Sequence, residues 1–148
     1  MVKFTTAAPA DIPQLIQLLE ILFSQEADFQ PDSAKQQRAL EMIIRSPTAG
    51  TIYVASSDDQ IIGMVSLLFV TSTAMGGPAC FLEDLVVRPE FRGAGVGTGL
   101  LEHAINEARA AGLTRITLLT DADNDGAIKL YKKYGFELSQ MRVLRLYL

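Results

Sequence analysis

Two segments of this chain combine residue types whose spacing could bind and transfer a chemical group. In the first, the strand-like residues 81–87 carry two adjacent acids, Glu83 and Asp84, and lead into the glycine-rich residues 92–99. A glycine-rich turn that enters a helix leaves several backbone N–H groups without intrahelical partners. Together with the helix dipole, these groups attract an anion, most simply a phosphate. The segment therefore predicts a strand, a phosphate-binding loop and a helix, in that order.

The spacing of the glycines helps to distinguish between several possible kinds of loop. A turn without a ligand is the simplest interpretation. A dinucleotide-binding βαβ unit requires Gly-x-Gly-x-x-Gly directly after a strand, whereas here the glycines fall at 93, 95, 97 and 99, and residues 88–92 separate them from the strand. A Walker-type loop requires Lys-Ser or Lys-Thr after its glycines, and neither follows here. A third interpretation rests on a resemblance, that of the run Arg92–Gly97 to loops of the form Arg-x-x-Gly-x-Gly.

The loop Arg92–Gly97 closely resembles the pyrophosphate loop of the GNAT superfamily of acetyl-CoA-dependent N-acetyltransferases. That family's other acyl-CoA-contacting segment is similar to a second run in this chain, Asn124-x-x-Ala127-x-x-Leu130-Tyr131-x-x-Tyr134-Gly135-Phe136. The resemblance is strong over residues 82–99 and 124–136 and weak before Thr51. It implies acetyl-CoA as a cosubstrate and a GNAT-type acyl-CoA N-acyltransferase fold.

The resemblance also implies which residues contact the cosubstrate. The pantetheine arm would hydrogen-bond like an added strand to the backbone of Leu85, Val86 and Val87, where an N–H would polarise the acetyl carbonyl. The pyrophosphate would be held by the backbone amides of Arg92, Gly93, Ala94, Gly95, Val96, Gly97 and Thr98. The second motif would contribute Asn124, which bonds the pantetheine arm, together with Ala127 and Tyr131.

Acetyl transfer to an amine requires a base, because an alkyl amine titrates near ~10.4 and is almost fully charged at neutral pH. A carboxylate can hold the ammonium and take its proton, directly or through water. Strand alternation places Glu83 on one face with Leu85 and Val87, and Asp84 on the other face with Val86. The acid pair resembles that of small-amine and diamine acetyltransferases, in which the first acid is the proposed base, and this corresponds to Glu83. Asp84 and a water chain are the alternatives.

Tyr131 is the expected general acid. A phenol near ~10 can protonate a departing thiolate whose conjugate acid lies near ~8.5. The alternative is a core tyrosine on an amphipathic helix, which is the role expected for Tyr134. Cys80 has no positioned histidine, so an acyl-enzyme is not expected and the amine should attack directly in a ternary complex.

Periodicity and turn signals predict the elements that position these residues. The expected strands are Lys3–Thr6, residues 51–56, Gln60–Ser72, residues 79–87 and 114–119, with one short and one longer strand within residues 136–148. The expected helices are an N-terminal one that starts near Pro9, then residues 33–45, 96–111 and 125–134. This order predicts an α/β (α+β) fold, with a mostly antiparallel mixed sheet of six to seven strands and helices on both faces.

Composition narrows the class of protein. The 148 residues suit a single domain, and the net charge of −4 argues against nucleic acid as a partner. The longest apolar stretch, residues 61–70, is too short to span a membrane, and the N-terminus lacks the pattern of a signal peptide. Because the only cysteine is Cys80, a reducing compartment is expected, by default the cytoplasm. No second His or Cys lies at ligand spacing from His103, so no metal site is predicted.

The sequence allows two interpretations for each of two charged patches. The acids of residues 20–41 form either a solvated helical face or an acidic rim that attracts a cationic amine. Lys129, Lys132 and Lys133 form either a solvated face or a contact for the 3′-phosphate of CoA. The expected function is acetyl transfer to a primary amine of a small molecule, such as a polyamine, amino sugar or amino acid. The alternatives are acetylation of a protein N-terminus or lysine, and a catalytically silent acyl-CoA-binding module. A homodimer is expected by analogy with the family.

Overall fold

A mixed sheet forms the centre of the computed structural model, which describes residues 1–26 and 28–148. Within these residues the sheet has five strands in sequential order: β1 (Lys3–Thr6), β2 (Gly50–Ser57), β3 (Gln60–Ser72), β4 (Gly77–Val87) and β5 (Ile116–Leu118). Neighbouring strands are antiparallel except for β4 and β5, which are parallel. Asp58 and Asp59 make the tight β2–β3 turn with φ of 48° and 64°. The prediction of a mostly antiparallel mixed sheet is confirmed.

In the described ranges, four α-helices cover the sheet: α1 (Ile12–Gln25), α2 (Ser33–Ile44), α3 (Val96–Ala110) and α4 (Asp125–Lys133). Local chemistry sets their ends. The side chain of Asp32 accepts from the backbone N–H of Lys35 and caps α2, and Gly112 follows α3 with φ 76°. Because such signals act within a few residues, the predicted bounds of α2, α3 and α4 agree with the structure to within one residue, whereas α1 begins three residues after Pro9.

Two apolar cores lie on opposite sides of the sheet. Leu15, Leu18 and Leu40 of α1 and α2 pack against Ile52 and Met64 on one side. The other core consists of α3 residues against strand residues, among them Ile62, Val65, Leu67, Leu82, Leu100, Leu101 and Ala104. Side chains alternate along β3, which therefore contributes to both cores. The prediction of helices on both faces is confirmed.

The predicted count of six to seven strands was wrong, because residues 136–148 form no strand. A strand needs a partner ladder, and in the described chain residues 142–148 make no backbone hydrogen bond. Their one ion pair joins Arg145 to Asp28 at 2.8 Å, and the same guanidinium lies 5.4 Å from the ring centroid of Phe29. The segment is thus held against the loop between α1 and α2, and its apolar side chains are exposed.

None of the helices within the described ranges is long and apolar enough to cross a membrane. The same residues contain no group of three or more His, Cys, Asp or Glu side chains arranged to hold a metal ion.

Candidate active site

The unequal lengths of β4 and β5 leave an open backbone edge. β5 pairs only with Cys80, Phe81 and Leu82, whereas β4 continues to Val87. Over residues 83–87, no strand of the described chain pairs with β4 on the β5 side. Backbone N–H and C=O groups on this edge can therefore pair with a ligand that adds like a strand. This open edge contains Leu85, Val86 and Val87, the residues whose backbone the family resemblance assigns to the cosubstrate.

A β-bulge interrupts β4 at the acid pair. The pairing with β3 shifts between Met64 and Ser66, so that β4 carries one extra residue between Glu83 and Val86. Asp84 occupies the bulge with a left-handed φ of 53°. Only a few per cent of residues other than glycine adopt this conformation, and aspartate is among those that tolerate it best.

The bulge reverses the side-chain alternation of β4. Leu85 and Val87 pack with the α3-side core, as Leu82 does, and Val86 packs with the α1-side core. The prediction that Leu85 and Val87 share a face with Glu83 was therefore wrong. The physical reason is that the extra residue shifts every later side chain to the opposite face.

The turn after β4 presents a row of unpaired backbone N–H groups. The first α3 bond runs from the N–H of Gly99 to the carbonyl of Gly95, so the preceding N–H groups lack helical partners. Gly93 and Gly95 have φ of 80° and 84°, which turns successive N–H groups toward the same side. Among the described residues, no acceptor pairs with the backbone N–H groups of Gly93, Ala94, Gly95, Val96, Gly97 and Thr98. This arrangement can bind an anion at the start of α3.

Arg92 has a different role from its neighbours. Its backbone N–H donates to the carbonyl of Pro89 at 3.2 Å, and its Nε donates to the carbonyl of Val87 at 3.0 Å. The side chain therefore ties the glycine loop to the end of β4, and the backbone amide predicted to bind pyrophosphate already has an internal partner. The Val87 carbonyl is likewise occupied.

On α4, Tyr131 is half-buried against the α3-side core, and its ring centroid lies 5.8 Å from that of Phe136. Burial raises the pKa of the Tyr131 phenol, and no described residue hydrogen-bonds its hydroxyl. Tyr134 instead donates to Glu102 at 2.5 Å, which ties α4 to α3 and raises the pKa of its phenol. Tyr134 also packs against the α3-side core, which is the role expected for it.

The N-terminus of α4 contains the other two predicted contacts. The side-chain carbonyl of Asn124 accepts from the N–H of Ala127 at 3.3 Å and caps the helix. The amide NH₂ of Asn124 remains for a ligand. Lys129, Lys132 and Lys133 are exposed.

Five carboxylates from three parts of the chain act electrostatically at Glu26 or Asp84, and we call them the acidic cluster: Glu83 and Asp84 on β4, Glu26 and Asp28 after α1, and Asp121 after β5. Burial raises the pKa of Glu26, as do Asp121, Asp28 and Glu83, whereas Arg145 lowers it. Burial also raises the pKa of Asp84 to about 7, and Glu83 and Glu26 add to this shift. Of the acids in residues 20–41, Glu26 and Asp28 belong to the cluster, whereas Asp32 caps α2.

The sequence did not predict that Asp121 and Arg145 act on the carboxyl of Glu26. Asp121 follows β5 and Arg145 lies in the C-terminal segment, so no local spacing links them to Glu26. The bulge did leave a signal, because two adjacent acids inside an apolar strand conflict with a regular half-buried ladder.

Two other side chains that could react, those of His103 and Cys80, have packing roles in the structure. His103 packs between Phe4 and Tyr53, with ring centroids 6.0 and 4.9 Å away. Cys80 is buried, and burial raises the pKa of its thiol to about 11, which disfavours the nucleophilic thiolate.

Comparison with known proteins identifies the family. The model of the acetyltransferase (GNAT) family matches residues 13–136, and the chain belongs to this family. It is 30% identical to an IAA acetyltransferase of Azospirillum brasilense over 122 residues, which cover 82% of this chain and 76% of that protein. It is 32% identical to N-acetyltransferase 8F1 of Rattus norvegicus over 98 residues, which cover 66% of this chain and 44% of that protein.

The fold is also found in solved structures. A Clostridium acetobutylicum acetyltransferase, whose crystal structure contains acetyl-CoA, superposes with a TM-score of 0.79 at 23% identity, covering 99% of this chain and 96% of that one. The chain spans less than half the length of the rat protein and of several other curated relatives that it matches.

Proposed function

We propose that this protein transfers the acetyl group of acetyl-CoA to a primary amine of a small molecule, by direct attack in a ternary complex. The observation that carries the proposal is the open edge of β4 leading into six unpaired N–H groups at the start of α3. An extended arm followed by a pyrophosphate matches this arrangement of strand edge and anion site. Two observations support acetyl-CoA as the cosubstrate: a structural neighbour contains it, and the chain belongs to an acetyltransferase family.

The acceptor end of the site is proposed to be the acidic cluster, since its negative field attracts an ammonium group. Glu83 is exposed and accessible to the acceptor, and the sequence favours it as the base, with Asp84 as the alternative. An N–H on the open edge of β4 would polarise the acetyl carbonyl in an oxyanion-type role.

Tyr131 is proposed to protonate the thiolate of CoA as it leaves. Burial raises the pKa of its phenol, so the hydroxyl stays protonated and remains a donor through the neutral range. Cosubstrate contacts through Asn124 and Ala127, and through the backbone of the glycine loop, belong to the same proposal.

The proposal has three further parts. The protein is a single domain over residues 1–148, it is located in the cytoplasm, and it assembles as a homodimer. The buried Cys80 thiol fits a reducing compartment. The exposed apolar side chains of residues 138–148 would gain from burial against a second copy.

The test is release of the CoA thiol from acetyl-CoA across a panel of polyamines, amino sugars, amino acids and short peptides at about pH 8, where more of each amine is neutral. Turnover confined to small cationic amines is the expected result. Turnover only with peptides would favour a protein N-terminus or lysine as acceptor. Tight binding of acetyl-CoA without turnover of any amine would favour the silent acyl-CoA-binding module.

Replacing Gly95 with alanine should test the anion site. An L-residue at φ 84° costs about 1–2 kcal/mol of stability, and relaxation of the loop would misdirect N–H groups. Each lost hydrogen bond to a charged group is worth about 1.5–3 kcal/mol, so the Kd of acetyl-CoA should rise about 10- to 100-fold. Calorimetric titration measures this change.

Gly112→Ala is the matched control, because Gly112 has φ 76° and an added Cβ meets no atom within 4 Å at either position. It should lose similar stability and keep the Kd of acetyl-CoA. Equal effects of both variants on binding would contradict an anion site at Gly95.

A further inference from the structure

Asp84 occupies a position that a regular strand would not provide. It lies in the β-bulge with φ 53°, at the start of the backbone edge that β5 leaves open. Such bulges change the direction in which a side chain points and occur often beside active sites. The strained backbone therefore places this carboxyl where the strand's alternation would have put a different side chain.

The carboxyl of Asp84 lacks the partners that a structural acid normally has. Its side chain is half-buried, and no described residue donates a hydrogen bond to it or forms an ion pair with it. The charges that act on it, those of Glu83 and Glu26, are both negative. Even a half-buried carboxylate without a partner costs free energy, so stability does not account for this arrangement.

Ser66 provides an independent observation at the same place. It pairs with Glu83 in the β3–β4 ladder, its side chain is 1% exposed, and its hydroxyl has no hydrogen-bond partner in the described chain. Since directly paired residues present their side chains on the same face, this unpartnered hydroxyl lies beside the acid pair. Two unsatisfied polar groups in neighbouring positions indicate a site that is completed by a ligand or its water.

We propose that Asp84 accepts the proton that the acceptor's ammonium loses, while the exposed Glu83 holds the ammonium in place. This inference rests on the proposed function. One N–H bond of the ammonium breaks, its electron pair stays on nitrogen, and an O–H bond forms on Asp84, directly or through one water. The neutral amine then attacks the thioester, and the proton on Asp84 passes to solvent before the next turnover. The proton that nitrogen loses as the amide forms balances the one that Tyr131 gives to the thiolate.

The energetics of proton transfer favour Asp84. Burial first, and then Glu83 and Glu26, raise its pKa to about 7. Transfer from an amine of pKa ~10.4 to an ordinary glutamate of ~4.3 is unfavourable by about a millionfold, whereas transfer to a group near 7 is unfavourable by roughly a few thousandfold. A base that titrates near the working pH is also the more effective one. The charged groups that act on Asp84 are Glu83 on β4 and Glu26 at the end of α1. Glu26 is in turn influenced by Asp121, Asp28 and Arg145.

The experiment compares the pH dependence of kcat/KM for the wild type, Asp84→Asn and Glu83→Gln. Asparagine tolerates a left-handed φ, so the first variant should fold. The wild type should lose activity below about pH 7, and Asp84→Asn should lose this limb together with about 10²- to 10⁴-fold in kcat. Glu83→Gln should keep the limb and raise the KM of the acceptor. An acid limb that persists in Asp84→Asn, or that disappears only in Glu83→Gln, overturns the inference.

A second measurement does not depend on turnover. The carboxyl carbon of Asp84, followed by NMR in the free protein, should titrate near pH 7. Titration in the ordinary range of an aspartate, near ~3.9, overturns the inference even where acetyl transfer is observed. If no amine is acetylated, the proposed function fails separately, and titration near pH 7 then supports only the proton-holding property of Asp84 on which the inference depends.

Discussion

Replacing Tyr131 with phenylalanine is expected to lower kcat about 10²- to 10⁴-fold, the usual contribution of a positioned general acid. The Kd of acetyl-CoA should change little, because the half-buried ring keeps its packing against Phe136 and the α3-side core. The hydroxyl has no partner in the described chain, so its removal breaks no internal hydrogen bond. Stopped-flow or steady-state release of the CoA thiol measures kcat, and calorimetry measures Kd.

Tyr134→Phe is the control for this change. Its hydroxyl donates to Glu102 on the surface, so the variant loses one α4–α3 hydrogen bond and keeps kcat. An unaltered kcat in Tyr131→Phe would remove that phenol from the acid role and leave it as a packing residue. Equal losses of kcat in both variants would point to a general disturbance of α4.

Asp84→Asn is expected to make the protein more stable at neutral and alkaline pH. The pKa of Asp84 rises from 3.8 to about 7 on folding, so between these values the folded state binds more protons than the unfolded state. Stability therefore falls as the pH rises from about 4 to 7, and remains low above that range. A rise in the pKa from 3.8 to about 7 sets a ceiling of about 4 kcal/mol. Because the side chain keeps some contact with water, we expect about 1–3 kcal/mol.

Denaturant unfolding of the wild type and Asp84→Asn at several pH values measures this effect. The two curves should converge near pH 4 and separate by pH 8. Asp58→Asn is the matched control, since Asp58 has φ 48° but is exposed in the β2–β3 turn. A gain of the same size in Asp58→Asn would mean that asparagine relieves backbone strain, with no contribution from the buried charge of Asp84.

Features whose cause lies within a few residues could be predicted from the sequence. The glycines at 93 and 95 require positive φ, and the pattern that follows them predicts α3 with its unpaired N–H groups. Asn124 caps α4, and Gly112 and Gly135 end α3 and α4 with positive φ. These signals act through hydrogen bonds between residues at most about five apart, so no distant contact changes them.

Features that depend on pairing between distant segments could not be predicted in the same way. The C-terminal residues 136–148 have the composition of strands, yet they form none, because a strand exists only with a partner ladder. Simple alternation failed along β4 because the register with β3 shifts at Ser66, some 17 residues upstream of Glu83. Neither outcome is encoded in the spacing of the residues concerned.

The sequence by itself indicated the family and singled out the glycine loop, the two acids and Tyr131 as candidate site residues, since motif chemistry is local. Only the tertiary structure decided how these acids differ. It placed Asp84 in a left-handed bulge, left Glu83 exposed, and brought Glu26 and Asp121 from other elements into their surroundings. The reason is physical: the proton affinity of a carboxyl depends on burial and on charges nearby in space, and neither depends on distance along the chain.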